Sequence, residues 1–191
     1  MKYLIVGLGN IGNEYQNTRH NIGFNALDAF AKASNAHFEG LRYGSIAETS
    51  IKGRKLILLK PNTYMNLSGK AVRYWMQEEK IKPENLLIIT DDLALPFESL
   101  RLKSKGGHGG HNGLTNIIEC LGHSNFARLR VGIGDNFSRG RQVDYVLGEW
   151  TDKEKEILPF IINNTSDAIN NFVSLSIDRA MNIVNTKKKD E

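Results

Sequence analysis

Short apolar runs that end at glycine or turn residues alternate along this chain with longer segments whose apolar residues recur at helical spacing. "KYLIVGL" and "ENLLIITDD" read as buried strands, since neither alternates with polar residues. "SIAETSIKGRKLILLKP" predicts two strands around a "KGR" turn, closed by Pro61. "SLRLKS" and "FARLRVGIG" alternate and predict two further strands. Between them, "NIGFNALDAFAKA" places Phe24, Leu27 and Phe30 on one helical stripe from about Asn21. Ser68 is the expected N-cap of "GKAVRYWMQEE". "LTNIIECL" aligns Leu114, Ile117, Ile118 and Leu121, and the segment after Lys153 reads as helical despite Pro159. Strands alternating with helices predict an α/β fold: one domain over residues 1–191, a mixed twisted β-sheet flanked by helices on both faces. The "KGR" hairpin makes part of that sheet antiparallel, and a mobile tail is expected from about residue 186.

Composition narrows the setting. The single cysteine, Cys120, excludes an internal disulfide and fits a reducing compartment; "LTNIIECL" places it near an apolar face, as inert core. The run after Lys2 is four apolar residues long, too short for a signal segment, and no stretch approaches a membrane span, so a cytoplasmic protein is predicted. Net charge is +4. Seven basic residues (Arg101, Lys103, Lys105, Arg128, Arg130, Arg139, Arg141) stand against three acidic ones between Glu98 and Arg141. Charge alone leaves that cluster as either a polyanion-binding face or a solvated surface.

Ligands of mixed sheets sit beyond the carboxyl ends of the strands, where Asn10 and Asp91 both fall. "GLGNIG" has the spacing of a dinucleotide fingerprint. The polar "NEYQNTRHN" that follows lacks a helical stripe, and Asp28 lies inside a helix rather than after a strand, so an NAD-type oxidoreductase is the weaker reading. His20, in "NTRHN", is either a surface residue or a base whose free nitrogen Asp91 makes more basic. Asp91 and Asp92, adjacent on a strand, point to opposite faces and do not form a carboxylate pair. "KSKGGHGGHNG" lacks the ending of a phosphate loop, and His108 and His111 have no cysteines to complete a zinc set, so no metal is predicted. It remains either a plain loop with Asn112 capping a helix, or a phosphate-holding loop in which Asn112 faces the site. In "KPNTYMNLSG", Asn62 and Asn66 offer amides that both donate and accept. There is no G-x-S-x-G elbow, so the nucleophile of an enzyme built on these residues is an activated water.

Taken together, "GLGNIGNEYQNTRHNIGF", "KPNTYMNLSG", "DDLALP", "GGHGGHNGL", "RLRVGIG" and "VDYVLGEW" resemble bacterial-type peptidyl-tRNA hydrolase, in family order from residue 4 to about 150. The resemblance implies an enzyme that cleaves the ester between a peptide and tRNA, recycling tRNA from prematurely released chains, as a monomer without a cofactor. It implies peptidyl-tRNA, gripped at the acceptor stem and CCA end, as the partner. Carried over, His20 is the general base, Asp91 orients it, and Asn10 distinguishes blocked from free aminoacyl groups. Tyr15, Tyr64, Asn66 and Asn112 fall at substrate positions; Lys103 and Arg130 resemble the clamp on the phosphate end of the acceptor stem, and "KSKGGHGGHNG" becomes the hinged loop over the site. Ile11, Tyr64 and Ala94 depart from the family pattern without touching His20 or Asp91, so they bear on affinity rather than chemistry. The rival on these residues is a non-catalytic RNA-binding relative.

Overall fold

The computed structural model describes residues 1–186. Among these described residues, seven strands form one sheet: β1 (Lys2–Gly7), β2 (Glu39–Leu41), β3 (Gly44–Ile51), β4 (Arg54–Pro61), β5 (Leu86–Asp92), β6 (Leu100–Lys103) and β7 (Ala127–Gly132). Six α-helices accompany them: α1 (Ile22–Ala33), α2 (Ser68–Glu78), α3 (Asn112–Leu121), α4 (Gln142–Val146), α5 (Asp152–Ser174) and α6 (Ile177–Thr186). The strand order is β2-β3-β4-β1-β5-β7-β6. The inner four, β4, β1, β5 and β7, run parallel, while β2, β3 and β6 are antiparallel to their neighbours.

This arrangement explains the uninterrupted apolar runs. On one sheet face Ile5, Leu58, Leu87 and Leu129 pack in a core with α1, α5 and α6. On the other Leu4, Val6, Ile57, Leu59, Leu86 and Ile88 pack with α2 and α3. A strand covered on both faces has no polar side to show, hence the loss of alternation. The predicted α/β domain with helices on both faces is the fold observed.

Local expectations are corrected at four points. Ser68 is the first residue of α2 rather than its cap, and its Oγ–H donates to the Met65 carbonyl at 2.7 Å. Asn112 is likewise inside α3, whose cap is His111. Cys120 is only partly buried, so it does not belong to the core. β2 and α4 are additional elements, three and five residues long, with no buried residues between them. Pro159 sits within α5, which begins at a Thr151–Glu154 capping box. Thr186 closes α6, so the tail expected from there lies, beyond that residue, outside the described residues.

One close approach positions the site. A Cβ on Gly7 would lie 2.2 Å from the Gly23 carbonyl oxygen. Glycine therefore lets the end of β1 touch the start of α1. That helix opens only at Ile22, after 3-10 turns at Asn13–Tyr15 and Arg19–Asn21, so the glycine string does not lead into a dinucleotide-type helix.

Candidate active site

His20 lies in the turn Arg19–Asn21, and every side chain of that turn is engaged. Arg19 is buried; its guanidinium donates to Glu154 at 2.9 Å and to the Tyr145 carbonyl at 3.2 Å, and lies over the Tyr145 ring. The "VDYVLGEW" segment is thereby docked against the turn. Asn21 accepts from the Asn10 amide and donates to the Asn10 carbonyl, both at 2.9 Å. His20 is held between these two anchors.

Its Nδ1 lies 3.0 and 2.9 Å from the two oxygens of Asp91, at the end of the central strand β5. A second imidazole shares the carboxylate: His111 Nε2 is 2.9 Å from Asp91 Oδ1. The two rings are 5.0 Å apart. Burial on its own would raise the Asp91 pKa, but His111 and then His20, by charge and hydrogen bond, outweigh it and hold the carboxyl below its ordinary range. Asp91 is thus an ionised acceptor at neutral pH.

The proton positions follow from the partners. His111 Nδ1 accepts from the backbone N–H of Gly113 at 3.1 Å and of Leu114 at 3.3 Å, which caps α3. An imidazole accepting at Nδ1 carries its proton on Nε2, which donates to Asp91. His20, facing an ionised carboxylate, donates from Nδ1 and keeps the lone pair of Nε2 free. Among the described residues, His20, Asp91 and His111 also bring their ligand atoms close enough together to suit a metal. A metal on His111 Nε2 would leave a proton on Nδ1 facing two N–H donors, so the hydrogen-bonding pattern fits proton chemistry better. The contacts of His108 are local: its Nδ1 accepts from Gly110 N–H at 2.9 Å and its carbonyl from His111 N–H at 3.1 Å.

The site opens into a cavity of about 90 Å³ lined by His20, Asp91, His111, Asn112 and Arg130. A neighbouring one of about 270 Å³ is lined by Asn10, Asn21 and Asn62. Asn10 Oδ1 accepts from Met65 N–H at 3.1 Å, so its Nδ2 donors are what it offers a ligand. Asn66, Asn112 and Tyr64 are exposed and Tyr15 half-buried. Among the described residues none of the four hydrogen-bonds to His20, and Asn112 alone of them shares its cavity.

The basic cluster resolves into two kinds of residue. Pairing of β6 with β7 sets Arg101 opposite Arg130 and Lys103 opposite Arg128, so all four project from one face. Lys103 and Arg101 are exposed. Arg130 is mostly buried, donating to Asp92 at 3.2 Å and to the Gly107 carbonyl at 2.8 Å. Arg128 is fully buried and donates to the carbonyls of Gly106, Gly107, Ser124 and Phe126. Burial, and secondarily Arg130, lowers its pKa to about 10, so it remains a cation at neutral pH. The glycine-rich loop is therefore fastened from below by two arginines. Sequence reasoning missed this anchoring, the cap and carboxylate contacts of His111, and the Asn21–Asn10 clamp. A histidine directly before a predicted helix was the available signal for the first of the His111 roles.

An ionised carboxylate that orients an imidazole, at the carboxyl ends of parallel strands, is an arrangement able to serve general-base chemistry, here on an α/β fold. The chain belongs to the peptidyl-tRNA hydrolase family, whose model matches residues 4–191. The peptidyl-tRNA hydrolase of Cytophaga hutchinsonii is 56% identical over 188 residues, covering 98% of this chain and all of that protein. That of Phocaeicola vulgatus is 59% identical over 187 residues, with 98% and 100% covered. Among solved structures, peptidyl-tRNA hydrolase from Acinetobacter baumannii superposes with a TM-score of 0.91 at 38% identity, covering 96% of this chain and 94% of that one.

Proposed function

We propose that the protein hydrolyses the ester joining a peptide, or an N-blocked amino acid, to tRNA, and so returns tRNA from prematurely released chains. The observation that carries the mechanism is the His20–Asp91 contact at 2.9 Å. His20 Nε2 takes a proton from water as the oxygen attacks the ester carbonyl. Asp91 keeps the other nitrogen protonated and stabilises the imidazolium that forms. His111 donates to the same carboxylate and keeps it ionised and in place. When the tetrahedral intermediate collapses, the proton on His20 passes to the departing ribose oxygen.

Asn10, Asn66 and Asn112 hold the terminal ribose and the first peptide unit, Asn10 through its Nδ2 donors. An amide aimed at the developing oxyanion contributes roughly 3 kcal/mol of transition-state stabilisation. Tyr15 and Tyr64 supply contact surface. Lys103 and the remaining donors of Arg130 face the acceptor-end phosphates, giving affinity that falls with salt. The protein acts as a cytoplasmic monomer without a cofactor; among the described residues no helix is long and apolar enough to cross a membrane.

The deciding experiment mixes purified protein with N-acetylated aminoacyl-tRNA and measures ester loss. Turnover supports the proposal. No loss above buffer, with tRNA still bound, supports the non-catalytic RNA-binding relative instead.

A further inference from the structure

Outside the site, on the α2/α3 side of the sheet, a groove of about 450 Å³ is lined by Tyr43, Leu67, Lys70, Arg73, Tyr74 and Cys120. Next to the two lining rings, the Arg42 guanidinium lies 5.0 Å from the centre of the Tyr43 ring and 5.1 Å from that of Tyr74. Lys70 Nζ lies 5.0 Å from the Tyr43 ring, and Tyr43 and Tyr74 meet edge to face at 5.3 Å. Arg42, Lys70 and Arg73 are all exposed. None of the three is ion-paired with a carboxylate among the described residues, including Glu78 of α2 and Glu119 of α3.

The backbone that shapes this groove is unusual. Tyr43, the second residue of the two-residue turn between β2 and β3, has φ 62. Asn, Asp or Gly normally fill that conformation, and a bulky ring there is a true exception. Among the described residues it is the single aromatic with positive φ. The turn is fixed from two sides: Trp75 Nε1–H donates to the Arg42 carbonyl at 2.8 Å, and Asn62 N–H donates to the Tyr43 carbonyl at 2.9 Å. A disfavoured conformation held this firmly marks a ring whose placement matters.

We propose that this groove binds single-stranded RNA, taking a segment of the tRNA substrate. Three uncompensated cations around two ring faces match phosphates spaced between stackable bases, the chemistry by which single strands are held without sequence readout. An acidic protein would match the cations but make no use of the guanidinium and tyrosine surfaces on which a base can stack. Leu67, on the groove wall, directly follows Asn66 of the substrate rim, so the two surfaces are continuous along the turn Met65–Leu67. The assignment to tRNA rests on the function proposed above.

Cys120 is the chain's single cysteine and lies in this groove, so it reports occupancy without mutation. A short single-stranded oligoribonucleotide is expected to slow alkylation of Cys120 several-fold at low salt, with an acidic peptide of equal charge much less effective. Equal protection by the peptide, or none by the RNA, overturns the proposal. The triple variant Arg42→Gln, Lys70→Gln, Arg73→Gln removes charge from exposed side chains and leaves the carbonyl that Trp75 uses. It is expected to bind the oligonucleotide ~10-fold or more weaker, with a salt slope reduced by about 2. Its KM for N-acetylated aminoacyl-tRNA should rise while kcat and Tm stay near wild type. Weaker oligonucleotide binding with unchanged KM overturns the tRNA assignment. Wild-type protein that fails to hydrolyse at all refutes the proposed function instead, and the alkylation result stands apart from it.

Discussion

His20 and Asn66 occupy the same kind of element, a three-residue 3-10 turn that leads into a helix at the carboxyl end of the sheet. Their surroundings differ completely. In the turn Arg19–Asn21 the three side chains bond to Glu154, Asp91 and Asn10, and the His20 side chain is 12% exposed. In the turn Met65–Leu67 Met65 is buried, whereas Asn66 and Leu67 are exposed and Asn66 makes no side-chain hydrogen bond among the described residues. The first turn is organised by the protein's own contacts; the second is not, and on the function proposed above bound substrate would organise it. A group that moves protons must hold one tautomer in one orientation, because misplacement is felt directly in the barrier. A group that only recognises substrate gives up little by waiting.

The largest effect should come from breaking the organised turn. His20→Ala is expected to lower kcat roughly 10²–10⁴-fold with tRNA affinity within a few-fold, measured by single-turnover ester loss beside equilibrium binding. Retained activity would remove His20 as the base.

Asp91→Asn comes next. An amide is neutral and turns one of the two acceptor oxygens into a donor, so kcat should fall on the order of 10²-fold or more as the His20 tautomer is lost. The same change tests a pH dependence. Because folding holds the Asp91 carboxyl below its ordinary value of 3.8, its contribution to stability is complete above that value and is lost as pH falls below it. The stability gap between wild type and Asp91→Asn in urea melts should therefore narrow as pH drops through 3.8. A gap that widens instead would reverse the sign of the coupling.

His111 separates two roles. His111→Ala removes the α3 cap and the bond to Asp91, costing about 1 kcal/mol of stability together with a loss of kcat. His111→Asn restores a good capping side chain but falls short of Asp91, so it should recover stability and not kcat. Recovery of both would reduce His111 to a cap.

The smallest effects belong to the unorganised rim. Asn66→Ala should raise KM several-fold, the scale of one hydrogen bond, without moving Tm. Lys103→Ala should cut the slope of log affinity against log salt by about 1. A change in Tm at Asn66 would mean that this turn, too, is built in advance.

How much of this was readable depends on the range of the interaction involved. β1 and β5 announce themselves as apolar runs because both their faces are covered, a property written locally into the residues. β2 carries three exposed residues and α4 buries none, so neither leaves a hydrophobic period to detect. The pairing of His20 with Asp91 was reached through strand ends and a family resemblance. The contact of His111 with the same carboxylate was not, because it depends on which way a ring turns at a helix start 20 residues away. Arg128 read as one more surface charge, yet it is buried beneath the loop it fastens.

By itself the chain determined its layers, the helix and strand periods that build them, and the residue types able to do chemistry at the strand ends. Those are encoded over a few residues by apolar spacing and glycine placement. Tertiary structure alone decided which histidine nitrogen carries a proton, which arginine supports the loop, and that Cys120 lines a groove rather than the core. Each of those outcomes rests on partners distant in sequence, and hydrogen bonds between them are settled by angles and distances of a few ångströms that no local pattern records.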